Sequence, residues 1–250
     1  MRSNAFKALI QTLEPKGVQV EFDHKAISFK TGNKKLQYLI SAEDFDFEKH
    51  QSVPVLPLDY ILNEPEKTAA AILSRLGLNE KIFARKCEVK KTDKNEAQIF
   101  LDENHLMKST QSAFNYGLYH NNELIALASF SKGRRMDRLP AEKRSYELIR
   151  FCCKKGVTVT GGLTKLLKFF CEEKKAGDVM TYVDKQWSDG TAFVKAGFKK
   201  LGETDVNYFL VDRKNFKREY LHQGDPFDSK KHYLSQNKGN IKLIYTPGDI

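Results

Sequence analysis

The stretch "YELIRFCCKKGVTVTGGLTKLLKFF", Tyr146 to Phe170, constrains this chain more than any other. "SYELIRFCC" reads as a strand, while Leu163, Leu166, Leu167 and Phe170 recur at i, i+3, i+4 and i+7, one face of a helix. The change of period runs through adjacent glycines, Gly161 and Gly162. Glycine before a helix lets an anion approach unpaired N–H groups and the positive end of the helix dipole. It also relieves sterics in a tight turn. The residues alone leave both readings open.

The flanking segments extend the pattern. From about residue 80, "KIFARKCEVKK" suggests a strand and "DKNEAQIFLDENH" a helix with Ala97, Phe100 and Leu101 on one face. "NYGLYHNNELIALASFSK" is a hairpin turning at Asn121 and Asn122. After the Leu163 helix come a strand, "DVMTYVD", a short helix in "SDGTAFVKAGF" that Ser188 can cap and Gly197 can close, and a last strand, "NYFLV". Upstream, "NAFKALIQTLEPKG" has helical spacing ended by Pro15 and Gly17, and "VQVEF", "AISFK" and "LQYLI" are short strands. "HQSVPVLPLDY" carries two prolines and reads as a linker. "NEPEKTAAAILSRLGL" is a helix with Asn63 as expected cap and Gly77 as its end.

A chain of 250 residues, 40% hydrophobic, fits one large domain or a main domain with a smaller neighbour. Its 42 Lys and Arg against 32 Asp and Glu, a formal charge of +10, suit a polyanionic partner. Cys87, Cys152, Cys153 and Cys171 form no CxxC pair, so reduced thiols and no metal are expected. No apolar run approaches the roughly 20 residues of a membrane span, and the expected location is cytoplasmic.

The order of elements resembles the GNAT acyltransferase fold. The resemblance rests on the "YGLYHNNELIALASF" hairpin, the "GG" turn before Leu163 and the "TAFVKAGFKKLGE" element. Within that group, "FLDENHL", "YELIRFC", "GGLTKLLKFF", "YVDKQWSDG" and "IYTPGD" resemble a phage family found with homing-type endonucleases and related to Mom-type DNA-modification proteins. The likeness covers roughly residues 75 to 250. It implies an α+β fold, a GNAT-like mixed sheet flanked by helices. The expected domains are a small αβ unit at 1–50, a linker and helix at 51–78, a transferase core at 79–212 and a basic extension at 213–250.

The resemblance also implies a donor, acetyl-CoA or another acyl donor, with its pyrophosphate on the main chain of Val159, Gly161, Gly162, Leu163 and Thr164 and with Lys165 adding charge. The usual loop carries Gln or Arg three residues before a glycine; here Thr158 and Val159 stand there. Catalytic candidates are Asp184, which ends a strand where such a sheet splays, His105, Glu147 and Arg150. On a regular strand Glu147 and Arg150, three apart, face opposite ways. The late-helix Tyr of many GNAT enzymes is Phe193, with Tyr182 and Tyr208 as substitutes.

Three basic segments suit nucleic acid. The long connection "SKGRRMDRLPAEKRSY" holds Arg134, Arg135, Arg138, Lys143 and Arg144, and "DRKNFKREYLHQ" sets Lys217 and Arg218 among aromatic residues. The third is "SKKHY". Trp187 can stack on a flipped base or plug its loop. The implied function is a transferase modifying a nucleic-acid base, the exocyclic amine of adenine in DNA. The alternatives are a coenzyme A-dependent N-acetyltransferase and a non-catalytic DNA-binding module.

Overall fold

A computed structural model describes residues 2–43, 45–50 and 53–248. The chain divides into two compact units, Met1–Leu78 with Asp205–Gly239, and Asn79–Thr204 with Asn240–Ile250.

In the first unit, strands Gln19–Asp23, Ala26–Thr31 and Lys34–Ser41 pair antiparallel, and Val55–Pro57 joins parallel to the third. The prolines of the expected linker thus sit in folded structure. Val55–Pro57 is wholly buried and leads into helix Leu58–Asn63. Asn63 ends that helix instead of capping the next one, Pro65–Leu76, which starts with a proline in its first turn and stops at Gly77 in the left-handed region. Tyr208–Asp212, expected to close the transferase core, is instead the centre of a three-stranded sheet with Arg218–Tyr220 and His232–Gln236 in this unit.

The second unit contains β1 (Glu80–Phe83), β2 (Glu88–Lys91), α1 (Lys94–Asn104), β3 (Phe114–His120), β4 (Glu123–Phe130), β5 (Ser145–Cys153), β6 (Val157–Thr160), α2 (Gly162–Lys174), β7 (Asp178–Asp184), α3 (Thr191–Lys195), β8 (Lys199–Glu203) and β9 (Asn240–Tyr245). Its seven-stranded mixed sheet runs β8-β9-β7-β5-β4-β3-β2, and β6 pairs with β1 in a separate two-stranded sheet. The fold is α+β with a mixed sheet flanked by helices, as the sequence led us to expect. The expected basic extension at 213–250 divides: β9 returns to this sheet between β7 and the edge strand β8, antiparallel to both.

Local chemistry explains the elements. Asp93 caps α1 by accepting from the amides of Asn95 and Glu96. Asn121 and Asn122 turn the β3–β4 hairpin with φ of 50° and 64°, as a type I′ turn requires. The apolar face of α2 covers one face of the sheet, where Phe170 stacks on Phe130 at 3.7 Å with Tyr116 and Tyr146 edge-on. On the other face, Ala97, Phe100 and Leu101 of α1 cover Leu124 and Leu127.

Candidate functional site

The central strands β5 and β7 run parallel but stay together for only three residue pairs, Ser145–Asp178, Tyr146–Val179 and Glu147–Met180. Beyond them β7 pairs only with β9. The Thr181 hydroxyl bridges the parting by donating to Leu148 O at 2.9 Å. On its other edge β5 stays in the antiparallel ladder with β4, and Lys154 N donates to Ile125 O. The alternation of such a ladder turns the N–H and C=O of Phe151 and Cys153 toward the opening.

A bulge lies at the same place. Leu148 pairs with Phe130 and Arg150 with Ser129, so Ile149 is the extra residue. Phe130 faces α2, whereas the Ser129 hydroxyl bonds Asn115 on the opposite face. Arg150 therefore shares a face with Glu147, and the expected opposition of the two does not hold. Glu147 is half-buried, and among the described residues its carboxylate has no hydrogen-bond or ion-pair partner. Arg150 is fixed through Nε to Lys108 O and through Nη1 to Ile149 O. Tyr182 lies on β7 two residues beyond Met180 and is 43% exposed.

Asp184 and His105 have local tasks. Asp184 ends β7, where its Oδ1 accepts from Gln186 N at 2.8 Å and its carbonyl from Trp187 N and Ser188 N. It closes the polar turn in which half-buried Trp187 sits. His105 ends α1, and its Nδ1 accepts from Met107 N at 3.1 Å, which puts the proton of the neutral ring on Nε2. Phe193 packs edge-on against Phe198.

The glycine pair separates into two roles. Gly161 is the N-cap of α2 with φ of 78°; it is exposed, and a Cβ there would meet nothing nearer than Ala84 at 3.7 Å. No side chain caps this helix start. Gly162 is buried, and a Cβ there would lie 3.1 Å from Val159 and 3.2 Å from Leu118. Its lack of a side chain serves packing. Val159 and Leu163 belong to the core. Lys165 donates to Ala84 O at 3.0 Å and Cys87 O at 2.6 Å. The ammonium expected to add charge at this helix start is tied to the Ala84–Cys87 turn. Burial pushes the Cys87 thiol above its ordinary pKa, and nearby Lys165 opposes this.

The basic candidates also sort themselves. Arg134 and Arg135 are exposed on the β4–β5 connection, with no side-chain partner among the described residues. Arg138 instead anchors that connection: Nε donates to Asp178 Oδ2 at 2.9 Å, Nη2 to Ser145 Oγ, and Asp178 is 1% exposed. Lys143 and Arg144 bond backbone carbonyls. In the first unit Lys217 pairs with Glu219 on the surface, and Arg218 is buried against Asp59. Sequence reasoning missed Thr181 and Asn115. A lone asparagine inside the apolar strand "FNYGLYH" was the available signal for the second.

Among solved structures, similar ones include a Bacillus subtilis acetyltransferase in complex with CoA, at 14% identity and a TM-score of 0.40, the match covering 64% of this chain and 99% of that one. A GNAT family acetyltransferase from Elizabethkingia anophelis with acetyl-CoA bound matches at 13% identity and a TM-score of 0.37, over 64% and 98%. Ribosomal-protein-S5-alanine acetyltransferase from Vibrio fischeri matches at 11% and 0.39, over 66% and 94%. No protein-family model matches the chain. None of the curated proteins matches it either.

Proposed function

We propose that this chain is a GNAT-like acyltransferase with an acyl-coenzyme A donor, and that its acceptor is a nucleic-acid base, the exocyclic amine of adenine in DNA. The observation that carries the reading is the parting of β5 and β7 after Glu147–Met180. It leaves main-chain groups of β5 facing an opening in the middle of a sheet, where an extended donor can add to the free strand edge. The uncapped helix start at Gly161 supports it, because backbone N–H groups and the helix dipole favour a pyrophosphate there. Exposed Arg134 and Arg135 support the polyanionic acceptor.

The donor supplies an activated acyl carbonyl. Glu147, at the point of parting, takes the proton of the incoming amine directly or through one water. Arg150, which the bulge brings to the same face, is held by Lys108 O and Ile149 O. Tyr182 returns a proton to the leaving group. Asp184 and His105 position turns.

An acetyltransferase acting on a small amine or protein is the second reading. It is favoured by the removal of Arg138 and Arg218 from the free cations, since both sit in ion pairs. Mass analysis of nucleosides from DNA co-expressed with the protein tests the acceptor. An acylated adenosine is expected. Unmodified DNA beside a protein that binds coenzyme A would leave the second reading. A protein that binds DNA but not coenzyme A would be a non-catalytic module.

A further inference from the structure

We propose that the second unit holds a binding site for a nucleobase-type heterocycle, apart from the opening between β5 and β7. The site is a cavity of about 310 Å³ between α1 and the segment 109–112, floored by β3. That volume is at the lower end of the range of small-molecule sites, about 300–1,000 Å³.

The side chain that points to a ligand is Asn115, which lines the cavity and is 7% exposed. Its Oδ1 accepts from the Ser112 hydroxyl at 2.9 Å and the Ser129 hydroxyl at 2.7 Å. Two donors on one oxygen fix the orientation of the amide. Its Nδ2, with two N–H donors, has no acceptor among the described residues. That nitrogen is open to the cavity, and its two donors call for an acceptor there. An acceptor atom in the cavity, a ring nitrogen or carbonyl oxygen, meets that need.

The walls narrow the class of ligand. Ala97 and Leu101, both 2% exposed, give an apolar patch against which a flat ring packs. Ser109, Thr110 and Gln111 supply neutral hydrogen-bonding groups, and no carboxylate lines the cavity. Lys94 at the rim accommodates one negative charge. The wall is built before any ligand arrives: Ser109 N donates to Asp102 Oδ1 at 2.9 Å, and Arg150 Nε donates to Lys108 O at 3.2 Å. Such a site takes an uncharged planar ring carrying acceptors. The choice of a nucleobase over another ring of that kind rests on the nucleic-acid acceptor proposed above.

The test is calorimetric titration of the full chain with adenosine, with ribose as the sugar control and a short single-stranded oligonucleotide as the second source of bases. Gln98→Trp, on an exposed helix position at the rim, fills the cavity without touching the core. Asn115→Asp keeps an oxygen for both serines and replaces the donor by an acceptor. Adenosine is expected to bind the parent chain and at least tenfold less tightly to either variant, with ribose silent. Parallel loss of oligonucleotide binding assigns the ring to a nucleic acid; loss confined to adenosine assigns it to a free nucleoside. Absence of adenosine binding, or undiminished binding by Gln98→Trp, overturns the site, even if Asn115→Asp fails to fold. Coenzyme A titration separates this from the donor reading: a chain that binds adenosine but not coenzyme A loses its donor and keeps this site.

Discussion

Glu147 and Met180 form the last residue pair joining β5 to β7, and the sheet parts beyond them. If Glu147 accepts the proton of the attacking amine, Glu147→Gln lowers the rate of acyl transfer by about 100- to 10,000-fold. Donor binding and the melting temperature stay near those of the parent, because among the described residues the carboxylate holds no partner whose loss would unfold the strand. Single-turnover kinetics and calorimetry on one preparation check both. Undiminished transfer removes Glu147 from its role.

Gly161 and Gly162 differ in what a methyl group would do. Gly161→Ala forces a φ of 78° on a residue with a Cβ, costing about 1–2 kcal/mol, and sets a methyl beside the uncapped helix start. Coenzyme A affinity falls with it. Gly162→Ala presses on Val159 and Leu118, an overpacking cost of about 1–3 kcal/mol, and leaves the donor approach open. Urea denaturation and coenzyme A titration of the two variants show whether affinity and stability separate this way.

Arg135 and Arg138 are three residues apart and opposite in use. Arg134→Ala with Arg135→Ala is expected to weaken duplex DNA binding and reduce the slope of log K against log salt by about 1.8, at about 0.9 per phosphate contact. The fold is unaffected. Arg138→Ala strands the buried Asp178 carboxylate and lowers stability instead. Binding isotherms from low to moderate salt, beside thermal melts, separate the two.

Cys171 is 5% exposed, and burial pushes its thiol up to about 12, with Glu172 and Asp178 adding to the shift. Because the folded value exceeds the unfolded one, the neutral thiol favours the folded chain. That contribution is complete below the unfolded thiol pKa of about 8.5. It is lost as pH rises from there toward about 12. Melting temperatures from pH 7 to 10.5 should fall, and fall less steeply in Cys171→Ala. Equal slopes would show that the thiol plays no part.

The sequence made legible those features that periodicity and turn chemistry specify. The Leu163 face, the Asn121–Asn122 hairpin and the Gly77 stop follow from local spacing, so each stands where expected. The return of Asn240–Tyr245 to the sheet is a pairing across a long insertion, and no local signal announces it. The bulge at Ile149 has no residue of its own to mark it, so the shared face of Glu147 and Arg150 stayed hidden. Charge runs were the poorest guide. Arg134, Arg138 and Arg218 look alike as letters, and only their partners distinguish a surface cation from a buried one.

Arg218 and Asp59 give the clearest case for a last prediction. Nε donates to Oδ2 at 2.7 Å and Nη2 to Oδ1 at 2.9 Å, with side chains 5% and 2% exposed. Nη2 also reaches Ser235 Oγ, and the guanidinium lies 4.6 Å from the Tyr60 ring centre and 4.5 Å from that of Phe209. Removing one partner leaves a buried charge alone. Asp59→Ala or Arg218→Ala should therefore each lower stability by about 3–5 kcal/mol. Replacing both at once, Asp59→Ala with Arg218→Ala, removes the charges together, and the loss should be far smaller than the sum of the single losses. Denaturant melts of the four chains close the cycle. If the single losses simply add, the pair is not coupled.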